Sequence, residues 1–96
     1  MTIAHTKEDK IMIQQTVKIN RKSGLYARPV NKLVQTASRY NADIFLTHNG
    51  RKVNVKSVLG ILSLAIPRKA EITFEASGDD ENEALKEVIL TFENLD

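Results

Sequence analysis

The chain has 96 residues, 42% of them hydrophobic and 27% charged, a balance that belongs to one globular domain with a core and not to a disordered segment. Fourteen Lys and Arg against 12 Asp and Glu leave a net charge of +2, too small an excess to drive non-specific nucleic-acid binding, and two Tyr, three Phe and no Trp supply few stacking platforms. The lack of Cys excludes a disulfide framework and thiolate chemistry, and no apolar run approaches a membrane span, so the expectation is a cytoplasmic protein with no direct nucleic-acid and no membrane partner.

Residues 1–10 are polar, of mixed charge and without period, which predicts a flexible N-terminal extension ahead of a single domain over 11–96. His5 within it reads as a solvated side chain. From Ile11 to Ile19 the pattern alternates, with Ile13, Val17 and Ile19 on one side and Gln14, Thr16 and Lys18 on the other, as in a half-buried strand. Gln15 interrupts the apolar side. Ser23-Gly24-Leu25-Tyr26-Ala27-Arg28-Pro29-Val30 then reads as a strand end, a tight loop and a helix start. Pro29 is tolerated in a first helical turn because its missing N–H has no intrahelical partner there. Arg28 adds a permanent cation with a planar fork of donors suited to phosphate. Two readings of this loop stay open, a small phosphate-receiving site or an ordinary helix start carrying a solvated Arg.

Val30, Leu33, Val34 and Ala37 recur at i, i+3, i+4 and i+7, which predicts an amphipathic helix of about three turns. Asn49-Gly50 between the β-rich runs Ile44–His48 and Arg51–Val55 predicts a hairpin, since both turn positions tolerate positive φ. His48 abuts that turn and reads as exposed and structural. Two isolated histidines predict no metal site. Ser57-Val58-Leu59-Gly60-Ile61-Leu62-Ser63-Leu64 reads as a short helix capped by Ser57. Its apolar residues cover more than one face, so either the helix is largely internal or part of it is an apolar patch for a partner. Glu71 to Ala76 alternates, with Ile72, Phe74 and Ala76 inward. Asp80 followed by Glu83 resembles a capping box, and Ala84, Leu85, Val88, Ile89 and Phe92 form one face of a last helix. The order predicts an α+β two-layer sandwich, four mainly antiparallel strands covered on one face by three helices.

Ser23-Gly24-Leu25-x-Ala27-Arg28-Pro29, Val34-Gln35-Thr36-Ala37-Ser38, Asn49-Gly50, Val53-Asn54-Val55-Lys56-Ser57-Val58-Leu59-Gly60, Ala70-Glu71-Ile72-Thr73 and Ala76-x-Gly78 together resemble HPr, the histidine phosphocarrier family of the bacterial phosphotransferase system. The resemblance runs from about residue 13 to the C-terminus and implies the HPr-like open-faced sandwich. It departs at one position. Where the family carries its phosphorylated histidine, between the Gly-hydrophobic pair and Ala-Arg-Pro, this chain has Tyr26. Imidazole is nucleophilic near neutral pH and its phosphoryl group transfers readily. A phenol with a pKa of about 10 stays protonated and would form a stable ester. No sugar-transport relay and no catalytic residue is therefore expected, and Tyr26 is either a contact residue or a tolerated aromatic.

Lys56-Ser57-Val58-Leu59-Gly60 keeps the family's regulatory serine motif. An intact serine beside a lost histidine resembles the Crh-like branch of the family, proteins of carbon catabolite repression. That resemblance implies phosphorylation of Ser57 by the HPr kinase/phosphorylase and docking of the phosphoprotein onto catabolite control protein A, a transcription factor. The docking surface it implies is Ser57, Arg28, Val58, Leu59 and Leu62, with Tyr26 beside them; it implies no cofactor, no metal and no enzymatic activity. The competing readings are an active carrier using Tyr26 or another residue, and a degenerate paralogue without a switch. Lys69 stands where the family often has Gly, which raises the question of whether that turn needs positive φ.

Overall fold

The structure is a computed structural model and describes residues 2–5, 11–19, 25 and 27–95. Eight elements follow one another: β1 (Thr2–His5), β2 (Ile11–Lys18), α1 (Ala27–Ala37), β3 (Asp43–His48), β4 (Arg51–Asn54), α2 (Val58–Leu62), β5 (Glu71–Ser77) and α3 (Glu81–Glu93). The strands form one antiparallel sheet in the order β1-β2-β5-β3-β4. The four expected strands and three helices are all present. A fifth strand is added by residues expected to form a flexible extension, because Thr2–His5 pairs along Ile11–Gln14. Residues 6–10 lie outside those described.

Period two places the inner face of the sheet as expected. Ile13 and Ile19 are buried, as are Ile44 and Leu46 of β3 and Ile72, Phe74 and Ala76 of β5. Register aligns Ile13 with Ala76 and Ala76 with Ile44, so a small residue sits between two large ones. The helices meet this face. α3 lies against β2 and β5, α1 packs on α3 and α2, and α2 also touches β4. Val30, Leu33 and Ala37 of α1 and Ala84, Leu85, Val88, Ile89 and Phe92 of α3 fill the layer between. Phe92 meets Phe74 edge to face, with centroids 5.6 Å apart and rings at 70°. Buried Thr36 joins the helices through a 2.8 Å hydroxyl–hydroxyl hydrogen bond with Thr91. The opposite face of the sheet is polar. It carries a Thr16–Thr73 hydroxyl pair at 2.8 Å and a Lys52–Glu75 ion pair at 3.0 Å, with the Lys52 ammonium 4.7 Å from the Phe45 ring centroid.

Asn49 at φ 51° and Gly50 at φ 79° make the expected two-residue hairpin turn. The turn before β5 does need positive φ: Lys69 adopts 66° and donates its N–H to the Ile19 carbonyl at 3.1 Å. The expected capping box does not form. Asp80 occupies the N-cap of α3 without any side-chain cap bond. Its carboxylate instead accepts from the backbone amides of Asn41 at 2.8 Å and Ala42 at 2.7 Å, clasping the α1–β3 connection. Glu81, one position later, accepts from the Gly78 amide at 2.9 Å. The amides ahead of β3 compete for Asp80 because the fold presents both of them to a single carboxylate.

The Asn41 hydrogen bond, joined by that of Ala42, holds the Asp80 carboxyl below the ordinary carboxylate range against its own desolvation. A depressed folded pKa stabilises the fold above the unfolded value of about 4, and that stability is lost as pH falls through the folded value. Asp80→Ala is therefore expected to lower the thermal midpoint at neutral pH, with the gap from the parent chain narrowing in acid. An equal gap at both pH values would assign the effect to packing. Lys69→Gly is expected to raise stability by about 0.5–1 kcal/mol in urea titrations, the left-handed penalty of about 1–2 kcal/mol less the extra unfolded-state freedom of Gly.

Candidate functional site

The turn between β4 and α2 is pinned before the helix begins. Val55 is buried and donates its N–H to the Ile44 carbonyl at 2.9 Å, carrying the pairing with β3 one residue beyond β4. The Asn54 side-chain oxygen then accepts from the Lys56 amide at 2.8 Å, and its carbonyl from the Ser57 amide at 3.0 Å. This Asx-type turn delivers Ser57 to the cap position in extended conformation, φ −117° and ψ 110°. The Ser57 hydroxyl accepts from the Gly60 amide at 3.0 Å, as its sequence position predicts. Gly60 is small for a reason. A Cβ there would lie 3.1 Å from the Ser57 Oγ, crowding the hydroxyl that caps the helix.

Burial divides α2 between the two expected roles. Ile61 is buried, together with Leu64 just beyond the helix, while Val58 and Leu62 are half-buried against the core. Leu59 is 80% exposed, the most open large apolar side chain among the described residues. The helix is thus anchored on one side and presents a single leucine, next but one to Ser57, to solvent. Arg28 is exposed in the first turn of α1, and Pro29 beside it is buried. The buried Leu25 donates its N–H to the Ile66 carbonyl at 3.0 Å, which ties the approach to α1 to the segment after α2. The structure therefore gathers Val58, Leu59 and Leu62 on one short helix capped by Ser57 and packs that helix against the one bearing Arg28. Tyr26, with Ser23 and Gly24, lies outside the described residues.

Two features escaped the sequence. The Lys56 ammonium donates to the Tyr40 carbonyl at 2.7 Å, just beyond the C-terminal end of α1, where the helix dipole favours a cation. The charge next to Ser57 is held by the fold. A groove of about 400 Å³ also runs between α3 and β2, with Leu85, Ile89 and Leu90 beside Gln15, Lys86 and Glu93. It explains why Gln15 can interrupt the inward face of β2, since its side chain lines this opening. Among the described residues no group of three or more His, Cys, Asp or Glu could hold a metal ion, and no helix is long and apolar enough to cross a membrane.

Known proteins resemble this chain over nearly all of the domain. The family described as the PTS HPr component phosphorylation site matches residues 13–94. The HPr-like protein Crh of Bacillus subtilis is 47% identical over 77 residues, covering 80% of this chain and 91% of that protein. The crystal structure of the phosphocarrier protein HPr from Bacillus anthracis superposes with a TM-score of 0.78 at 44% identity, over 83% of this chain and 95% of the other. The crystal structure of Bacillus subtilis Crh gives a TM-score of 0.69 at 43% identity, over 84% and 93% of the two chains.

Loss of the cap is expected to cost about 1 kcal/mol in Ser57→Ala, measured by urea denaturation. Such a loss leaves a domain of ordinary stability folded. Ser57→Thr keeps an acceptor oxygen and is expected to retain most of the difference.

Proposed function

The chain belongs to the HPr family, and from that premise we propose that it is a regulatory member, phosphorylated on Ser57 by HPr kinase/phosphorylase and acting in that form as a corepressor of catabolite control protein A in carbon catabolite repression. The observation that supports this reading most is the Ser57 cap, an intact phosphorylation motif whose hydroxyl sits at a helix start two residues from an exposed leucine. In the proposed step the Ser57 Oγ forms a bond to the phosphorus of the donor nucleotide as the bond to its leaving group breaks, and the hydroxyl proton passes to a base on the kinase. The product carries a charge of about −1.5 to −2, with acceptor oxygens that the first-turn amides of α2 can satisfy. Charge and apolar side chain then form one epitope, complete only in the modified protein. The exposed guanidinium of Arg28 supplies a second polar contact for the partner, and the half-buried Val58 and Leu62, packed against the core, add apolar surface beside Leu59 on the same helix.

Sugar transport is the role this reading gives up. The position that carries the family's histidine is Tyr26, and a phenol of pKa about 10 neither accepts phosphate readily at neutral pH nor passes it on. The chain itself is a substrate and a ligand in this scheme, with no cofactor and no metal of its own. A cytoplasmic location goes with both proposed partners.

Incubation with HPr kinase and ATP is expected to place one phosphate on Ser57, seen by peptide mass spectrometry and absent in Ser57→Ala. Only the phosphorylated chain is expected to bind catabolite control protein A in titration calorimetry, and Leu59→Ala to weaken that binding roughly tenfold. Failure of the kinase to modify Ser57 would remove the switch. Acid-labile label acquired from phosphoenolpyruvate and the general phosphotransferase enzyme would instead make the protein a carrier.

A further inference from the structure

α3 buries one side in the core and leaves a strip of mixed chemistry on the other. Leu90 is 42% exposed, and with Leu59 it is one of only two large apolar side chains open to solvent among the described residues. It stands at the groove of about 400 Å³ between α3 and β2, which has the buried Leu85 and Ile89 at its base and Gln15, Lys86 and Glu93 around them. On this side the sheet ends. The pairing of β1 with β2 stops at Gln14, so beside Gln15 no described strand lies outside β2.

The charges on this strip complement one another end for end. Lys86 and Glu93 are both exposed, and among the described residues neither has an ion-pair partner. Seven residues apart, they share one face of the helix about 10 Å from each other, with Leu90 between them. Their midpoint falls on the Ile89–Leu90 peptide. A two-fold axis through that point, perpendicular to α3, runs the helix of a second copy antiparallel to the first. Each Lys86 then faces the other copy's Glu93, and each Leu90 meets the other copy's Ile89. Such self-complementarity is what an isologous contact requires. Glu83 and Glu87, the other acidic residues along the exposed length of α3, act on Tyr40 at the α1 flank.

We propose that the α3–β2 groove is a docking surface for the same groove of a second copy of the chain, with the two α3 helices antiparallel, Lys86 paired to Glu93 across the axis and Leu90 seated on the apolar base. The contact is one strip of a 13-residue helix, about 20 Å long. That falls short of the roughly 1,200 Å² buried by stable complexes, so the dimer is a weak one with a Kd in the high micromolar range or above, on the order of 100 μM to 1 mM. α1 packs against both α3 and α2, which places the strip on the side of the helix layer away from α2. Each dimer therefore presents two uncovered Ser57 caps. The inference does not depend on Ser57 being modified.

The test is sedimentation velocity of the full chain at low salt, from about 10 μM to about 1 mM. The mass of the parent is expected to rise from one protomer toward two, and the rise to shrink at high salt. Lys86→Glu and Glu93→Lys are each expected to keep the chain a single protomer at the highest concentration, because like charges then face each other across the axis. The double exchange is expected to restore association. So is an equimolar mixture of the two single variants, in which every contact again sets Glu against Lys. Both positions are exposed, and unchanged thermal midpoints confirm that the variants are folded. A parent that stays one protomer throughout would overturn the proposal. An association indifferent to both reversals, or one that neither the double exchange nor the mixture restores, would place the contact elsewhere and overturn it equally. Labelling of Ser57 by the kinase is read separately, and its failure leaves this result unchanged.

Discussion

β5 sits at the middle of the sheet, paired at once with β2 and β3, and the burial of its inward side chains is the constraint from which the other placements descend. Ile72, Phe74 and Ala76 cannot reach solvent past either neighbour, so they are buried only if a helix lies over them. α3 does so, with Phe92 edge-on to Phe74. Full burial of side chains of this size is worth about 1.5–3 kcal/mol each, which outweighs anything the polar face of the sheet contributes. Once α3 is seated, Thr36–Thr91 and the apolar stripe of α1 set the position of α1, and α1 in turn supports α2. The location of Ser57 is the last step in that series.

α2 shows how a short element can serve two purposes at once. Five residues are too few to be a stable helix alone, so it depends on its cap and on Ile61. Those two anchors occupy one side and the start of the helix. The exposed Leu59 is left over, a side chain whose burial the domain does not need. In the proposed function this leftover is the side chain that a partner would bury together with the charge on Ser57. In that reading the hydroxyl that caps the helix when unmodified would belong to the interface once phosphorylated.

The clasp at Asp80 and the groove beside Gln15 show where local pattern and tertiary demand part. Asp80-x-x-Glu83 has the spacing of a capping box, and the helix starts where that spacing says. The carboxylate is nonetheless drawn to Asn41 and Ala42, because two converging amides hold it better than one cap bond. Gln15 breaks the alternation of β2, and a break in a periodic pattern marks only that something polar is tolerated. The opening between α3 and β2 is what tolerates it.

Taken alone, the residues determined the element types and their order, the inward faces, the Asn-Gly turn, the Ser57 cap and, through its motifs, the family. Each of these is written in spacing or in the φ/ψ preference of one or two residues, which neighbours along the chain suffice to express. Tertiary structure decided which apolar residue of α2 would face water, where the Lys56 ammonium would rest, that Lys69 would adopt positive φ, and that Thr2–His5 would join the sheet. These depend on partners distant in sequence, and a partner is chosen only when packed surfaces bring particular donors, acceptors and strand edges within reach.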